Sequence, residues 1–359
     1  MDFSIYNKKK VFLTGHTGFK GAWMLVLLKQ LGAIVKGYSL EPEQNNDLFN
    51  IINGGDFCDS IISDIRDVER LKSEIKSFEP DFIFHFAAQA LVRKSYELPF
   101  DTFEINLMGT LSILESVVGY SKKCSVILVT TDKVYENKEW LYPYRENDRL
   151  GGFDPYSASK ACAELAINCY RNSFFNLSTY DEHQKGIASV RSGNVIGGGD
   201  WSQDRIIPDI VNSVNNNEKI IIRNPLSVRP WQHVLDPLVG YLMLGKKLYT
   251  NPKLFSDSWN FGPLENNSIS VMELVKIAIL EFGKGEYEIN QDENAPHEAK
   301  LLRLDISKSS QILNWEPVFS SRKAINLTIN WYKKYYQNQI DPLSLMENDI
   351  KIYFSEKNK

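Results

Sequence analysis

An apolar strand, a glycine turn and a buried helix follow one another without a break near the start of the chain. Lys10-Val11-Phe12-Leu13 leads into Gly15-His16-Thr17-Gly18-Phe19-Lys20-Gly21 and then Ala22-Trp23-Met24-Leu25-Val26-Leu27-Leu28. The first glycine permits a tight turn, the next lets a phosphate approach the main chain, and the last lets helix and sheet touch. The amides at the helix start carry partial positive charge and face an anion. Gly15, Thr17, Gly18, Phe19 and Gly21 are therefore the first candidate cofactor residues. The expected fold is α/β, a doubly wound parallel sheet (Rossmann) with a smaller C-terminal α/β substrate lobe.

Later segments extend that sheet. Ala33 to Leu40 reads as the second strand, with Ser39 in the slot where a ribose-binding carboxylate would stand and Glu41 two residues on. No arginine lies near to hold a 2′-phosphate, which favours NAD over NADP. A third strand ends at Ser63-Asp64-Ile65-Arg66, and a fourth, from Asp81, runs into Ala87-Ala88-Gln89. His85 on it reads as a packed strand residue. The fifth, Ser125 to Val129, ends in Thr130-Thr131-Asp132-Lys133, and the sixth is Ile187 to Val190. Ligands bind beyond the carboxyl ends of such strands. A hydroxyl, a carboxyl and an amine placed there, Thr131, Asp132 and Lys133, suit proton transfer; a turn with a helix cap is the other reading.

Asp154-Pro155-Tyr156-Ser157-Ala158-Ser159-Lys160 starts a helix, because an Asp oxygen caps an orphan amide and Pro lacks one. Spacing of i to i+4 puts Tyr156 and Lys160 on one face. An ammonium beside a phenol stabilises the phenolate, and lowering a phenol from about 10 to about 7 takes roughly 4 kcal/mol. A cationic nicotinamide ring would supply part of that.

The Gly-x-x-Gly-x-x-Gly spacing, the Thr131-Asp132-Lys133 run and the Tyr-x-x-x-Lys pair together resemble the extended short-chain dehydrogenase/reductase family, and within it the nucleotide-sugar 4,6-dehydratases. The resemblance runs from about Val11 to Pro317. It implies NAD as cofactor, with Ser39, Asp64, Ile65, Ala87, Ala88, Tyr156 and Lys160 joining the glycine turn around it. Asp64 either contacts adenine or caps the helix from Val68. Thr131, Asp132, Lys133, Tyr156 and Lys160 are the implied catalytic set, with Asp132 the acid and Lys133 the candidate C5 base. Gln89, Arg93, Asn194, Arg205 and Arg229 are the implied substrate contacts; a guanidinium fork fits phosphate oxygens. Asn106 is the implied brace of the site. Lys133 and the run Arg229-Pro230-Trp231-Gln232-His233-Val234 favour CDP-glucose among nucleotide hexoses. The likeness also implies a homodimer and a product used for surface polysaccharide. Residues 1–193, with 230–258 returning, are expected to form the cofactor domain, and 194–229 with 259–359 the substrate lobe.

Composition narrows the alternatives. The 359 residues are 43% hydrophobic with a net charge of -4, and no basic block exceeds Lys8-Lys9-Lys10. Nucleic acid is therefore not an expected partner. No apolar run approaches the roughly 20 residues of a membrane span, so a cytoplasmic protein is expected. The four cysteines show no zinc or disulfide spacing and read as small buried hydrophobes, and the five histidines are scattered, so no metal site is expected. A polar tail is expected after a last helix around Ala324 to Tyr336.

Overall fold

Seven parallel strands lie in the order β7-β6-β5-β4-β1-β2-β3, in a computed structural model that describes residues 2–264, 269–290 and 301–357. They are β1 (Lys10–Thr14), β2 (Ile34–Ser39), β3 (Asp59–Ile62), β4 (Phe82–His85), β5 (Cys124–Val129), β6 (Lys185–Ser192) and β7 (Ser258–Phe261). The order reverses between β1 and β4, which pair Val11 with Phe82 through Thr14 with His85. Such a reversal opens a crevice at the carboxyl edge of the sheet.

Strand periodicity builds two cores. Val11, Leu13, Phe84, Ile127, Val129 and Val190 point to one face, and Phe12, Ile83, Val126, Leu128 and Ile187 to the other. Side chains alternate along a strand, so a sheet covered on both sides needs apolar residues at successive positions. Helix α1 (Phe19–Gln30) covers the first face, while α2 (Val68–Phe78), α3 (Gly109–Val117) and α4 (Pro155–Ser173) cover the second. Gly21 to Leu28 are all buried, because α1 packs between the sheet and the C-terminal segments.

Beyond β6 come α5 (Ile206–Asn216), α6 (Leu235–Thr250), α7 (Val271–Phe282), α8 (Ser321–Asn338) and α9 (Pro342–Lys357). The Ser270 capping box on α7 is present, with Ser270 Oγ accepting from Glu273 N at 3.2 Å.

Three expectations need correction. Trp259, placed in the lobe by the sequence, lies in β7, the outer strand of the main sheet, because its main chain pairs with Val190. The expected polar tail contains α9, whose Leu345, Met346, Ile350 and Tyr353 are buried against α1 and α8. Intervening acids and lysines hide that stripe. Of the cysteines only Cys124 is buried, and Cys169 is exposed on α4. No described helix is long and apolar enough to cross a membrane, and no described His, Cys, Asp or Glu cluster could hold a metal ion.

Candidate active site

The glycine turn folds onto itself at the head of β1. Gly15 has φ +71°, and a Cβ there would stand 2.6 Å from Ala87 N. At Gly21 a Cβ would stand 2.1 Å from Gly15 O, so this contact between loop and helix tolerates no side chain. Gly18 is exposed and is the N-cap of α1, where no side chain caps the free amides. The ring of Phe19 lies near Gly197, whose added Cβ would be 3.1 Å from Phe19 Cζ. Thr17 Oγ1 meets Ser39 Oγ at 2.8 Å and donates to Leu40 O at 2.9 Å, while Glu41 is exposed. Ala87 and Ala88 stand half-buried past β4. A narrow glycine cradle, uncapped amides, hydroxyls at the end of β2 and small residues after β4 fit a dinucleotide without a 2′-phosphate.

Asp64 accepts from Arg66 N at 2.9 Å and Arg66 Nη2 at 2.7 Å, on a side chain 32% exposed. The cap of α2 is instead Asp67, which accepts from Arg70 N at 3.1 Å. That removes the helix-cap reading of Asp64. Ile65 sends its side chain into the core against Gly109.

Across the crevice, Asp154 caps α4 by accepting from Ser157 N at 2.9 Å and Ser157 Oγ at 2.6 Å. Tyr156 and Lys160 are both buried, one turn apart on this helix. Burial pushes the Tyr156 phenol up to about 12; the Thr131 hydroxyl lowers it, Asp132 raises it and Arg205 lowers it. Lys160 Nζ donates to Val129 O at 3.2 Å, and burial lowers its ammonium to about 8 against the pull of Glu164. The sequence suggested Lys160 as the group that lowers the phenol. In the structure the Thr131 hydroxyl lowers the phenol, while the Lys160 ammonium donates to the main chain at the end of β5.

Thr131 caps the turn Asp132–Val134 and donates to Asp132 Oδ1 at 3.1 Å. Asp132 is 2% exposed, and burial raises its carboxyl, opposed by Lys133, Thr131, Arg229 and Lys20. Burial thus shifts this carboxyl toward its uncharged form. A Cβ on Gly193 would stand 1.7 Å from Asp132 Oδ2, so the glycine makes room for the carboxyl. Lys133 is half-buried beside it.

The candidate substrate residues divide. Gln89 accepts from Leu91 N at 2.6 Å and donates to Thr102 Oγ1 at 3.0 Å, so its amide fastens its own turn. Asn106 braces that turn, bonding Gln89 N and Gln89 O, both at 3.0 Å, and Ser159 Oγ at 2.9 Å. Arg93 crosses the mouth to Asp204 Oδ1 at 3.2 Å, which Arg223 shares at 3.2 Å. Arg205 pairs with Asp200 at 2.9 Å and acts electrostatically on Tyr156, as Arg229 does on Asp132. Asn194 takes the left-handed φ of +50° just past Gly193. His85 is packed between Thr14 and Thr110, as the strand pattern predicts.

Two features escaped the sequence. Lys20, in the first turn of α1, donates to Ser192 Oγ at 3.2 Å, and burial lowers its ammonium to about 8. A lysine at a helix start works against the macrodipole; this one lies within electrostatic reach of Asp132, Lys160 and Arg205. Glu164 and Arg191 form a buried two-point pair, at 3.0 and 2.8 Å. It locks α4 to β6, and nothing in the spacing of the two residues announces it.

A family model described as GDP-mannose 4,6 dehydratase matches residues 12–328. The chain is 46% identical over 355 residues to a CDP-glucose 4,6-dehydratase of Salmonella typhimurium, covering 99% of each chain. It is 25% identical over 342 residues to a CDP-paratose 2-epimerase of Salmonella typhi, covering 90% of this chain and 98% of the other. Among solved structures, a dTDP-glucose 4,6-dehydratase of Bacillus anthracis in complex with NAD superposes with a TM-score of 0.74 at 23% identity, over 93% of this chain and 99% of that one. A UDP-glucose 4-epimerase of Thermotoga maritima with UDP-glucose gives 0.77 at 21% identity, over 90% and 99%. These last two likenesses concern the fold. Family model and full-length relative agree: the chain belongs to the GDP-mannose 4,6-dehydratase family of extended short-chain dehydrogenases/reductases.

Proposed function

We propose that this chain is an NAD-dependent nucleotide-sugar 4,6-dehydratase, a hydro-lyase that converts CDP-D-glucose to CDP-4-keto-6-deoxy-D-glucose and water. The observation that carries the reading is Asp132, a buried carboxyl pushed toward its protonated form in the same crevice as Tyr156. A 4-epimerase needs the tyrosine but no acid at C6. Full-length similarity to a CDP-glucose 4,6-dehydratase supports the same choice.

Bound NAD supplies the hydride acceptor for C4 and the hydride donor for C6, and is restored in each turnover. The glycine cradle from Gly15 to Gly21 and the start of α1 would hold its diphosphate, with Thr17, Ser39, Ala87 and Ala88 beside its riboses. Tyr156 Oη takes the proton of the sugar 4-hydroxyl, with Thr131 and Lys160 steadying the charge. Lys133 Nζ takes the C5 proton, acidified by the new ketone. Asp132 gives its proton to the 6-oxygen, and water leaves. Arg205 and Arg229 hold the diphosphate of the sugar nucleotide, and Arg93 and Asn194 stand at the rim. The cradle would hold the cofactor at the carboxyl edge of the sheet, and the sugar would lie toward the lobe beyond Asn194. From the family likeness we further infer a cytoplasmic homodimer, with the product feeding deoxysugar synthesis for a surface polysaccharide such as O-antigen.

The test is a panel of CDP-, dTDP-, UDP- and GDP-hexoses, with the product read as a 4-keto-6-deoxy sugar by its absorbance in alkali. Turnover of CDP-glucose to that product is expected. An epimer, or no turnover of any hexose, contradicts the reading.

A further inference from the structure

Asp132, Gly193, Gln232 and Arg303 line one small pocket, with Pro230, Pro263 and Leu304 among its apolar lining. Its volume is about 10 Å³, close to the least space that holds one water. Three of its lining residues carry a buried polar atom with no hydrogen-bond partner among the described residues: Asp132 Oδ2, Gln232 Oε1 and Arg303 Nε. Burying such atoms unpaired costs free energy, and finding several together marks a place built for a polar guest.

The orientation of Gln232 is fixed. Both of its amide hydrogens are committed, to Gly193 O at 2.9 Å and Phe261 O at 3.0 Å. Its carbonyl end is therefore the free acceptor. The same bond to Gly193 holds the residue that shapes the space around the Asp132 carboxyl. Arg303 contributes a donor, and its main chain is pinned where Tyr144 N donates to Arg303 O at 2.8 Å. One acid, one acceptor and one donor thus surround a space of single-oxygen size.

We propose that this pocket receives the departing oxygen of the sugar, with Gln232 and Arg303 holding it while Asp132 protonates it. This rests on the dehydratase reading above. In the step, the C6–O6 bond breaks and the Asp132 proton passes to O6. The electron pair of the former C5–H bond becomes the C5–C6 double bond. The water formed donates to Gln232 Oε1 and accepts from Arg303 Nε. Both contacts strengthen as the oxygen changes from bound hydroxyl to free water, so they favour the elimination over the preceding oxidation.

The experiment compares CDP-glucose with CDP-6-deoxy-6-fluoroglucose, whose fluoride leaves without needing a proton. Gln232→Met and Arg303→Met are each expected to slow water loss from CDP-glucose about tenfold, while fluoride loss changes by less than about threefold. Retained fluoride release also shows that each variant is folded and binds substrate. Equal slowing on both substrates, or unchanged water loss in both variants, overturns the proposal. If the wild-type protein releases neither water nor fluoride from these sugars, the dehydratase reading itself fails, and the role of the pocket with it.

Discussion

Arg191 and Glu164 meet in a fully buried two-point ion pair, Nε to Oε1 at 3.0 Å and Nη2 to Oε2 at 2.8 Å. Ser189 Oγ at 2.8 Å and Thr130 Oγ1 at 2.5 Å also donate to the carboxylate, so every oxygen is satisfied. Removing one partner leaves an uncompensated buried charge, and Glu164→Ala is expected to cost roughly 3–5 kcal/mol. Denaturant unfolding of the variant checks this.

The same carboxylate sets an acid limit. Burial raises Glu164, but the charge and hydrogen bonds of Arg191 outweigh it and hold the group at about 2 against an ordinary 4.5. Its contribution is complete above the unfolded value and is lost as pH falls from there toward 2. Melting temperature measured over that range is expected to drop steeply, and less so in the Glu164→Ala variant.

Asp236 has the opposite sign. It is fully buried where α6 meets the segment before α8, and burial raises it to about 7, although Val318 N donates to it at 2.6 Å. A raised carboxyl favours the fold at low pH, and that contribution is lost as pH rises through 7. Asp236→Asn keeps the acceptor and removes the charge. The variant is expected to melt higher than wild type at pH 8 and to show a flatter profile between pH 4 and pH 7.

Gly193→Ala places a methyl carbon 1.7 Å from Asp132 Oδ2. The acid must move, so turnover is expected to fall about 100-fold, the loss typical of a displaced general acid. Cofactor affinity, read by calorimetry with NAD, is expected to stay near wild type. Equal loss of both would place Gly193 in the cofactor site instead.

Lys160 gives a basic limit. Its ammonium, lowered by burial to about 8, loses charge as pH rises past that value. The pH profile of kcat/KM reports groups of the free enzyme, and it is expected to decline through that pH. In Lys160→Met the residual activity is expected to lack this limb.

The sheet was legible because its signals are local. Runs such as Val11-Phe12-Leu13 and Val126 to Val129 are apolar at every position, and each ends in a glycine turn or a polar cluster. Asp154, Pro155 and Tyr156 announced their helix start by cap chemistry alone. What stayed hidden depends on contacts far apart in sequence. Gln89 looks like a substrate amide until Thr102 and Leu91 are seen to consume it. Arg303 is one arginine among many until Asp132 and Gln232 line the same pocket. Helix α9 was misread because its buried residues fit the surface of α1 and α8, which no local pattern reveals.

The central claim is that hydrogen taken from C4 by way of Tyr156 is returned to C6 of the same sugar. CDP-glucose carrying deuterium at C4 tests it directly, with the product examined by NMR and mass spectrometry. Deuterium recovered in the C6 methyl group is the predicted result. Deuterium retained at C4, or lost to solvent with none at C6, would contradict the account.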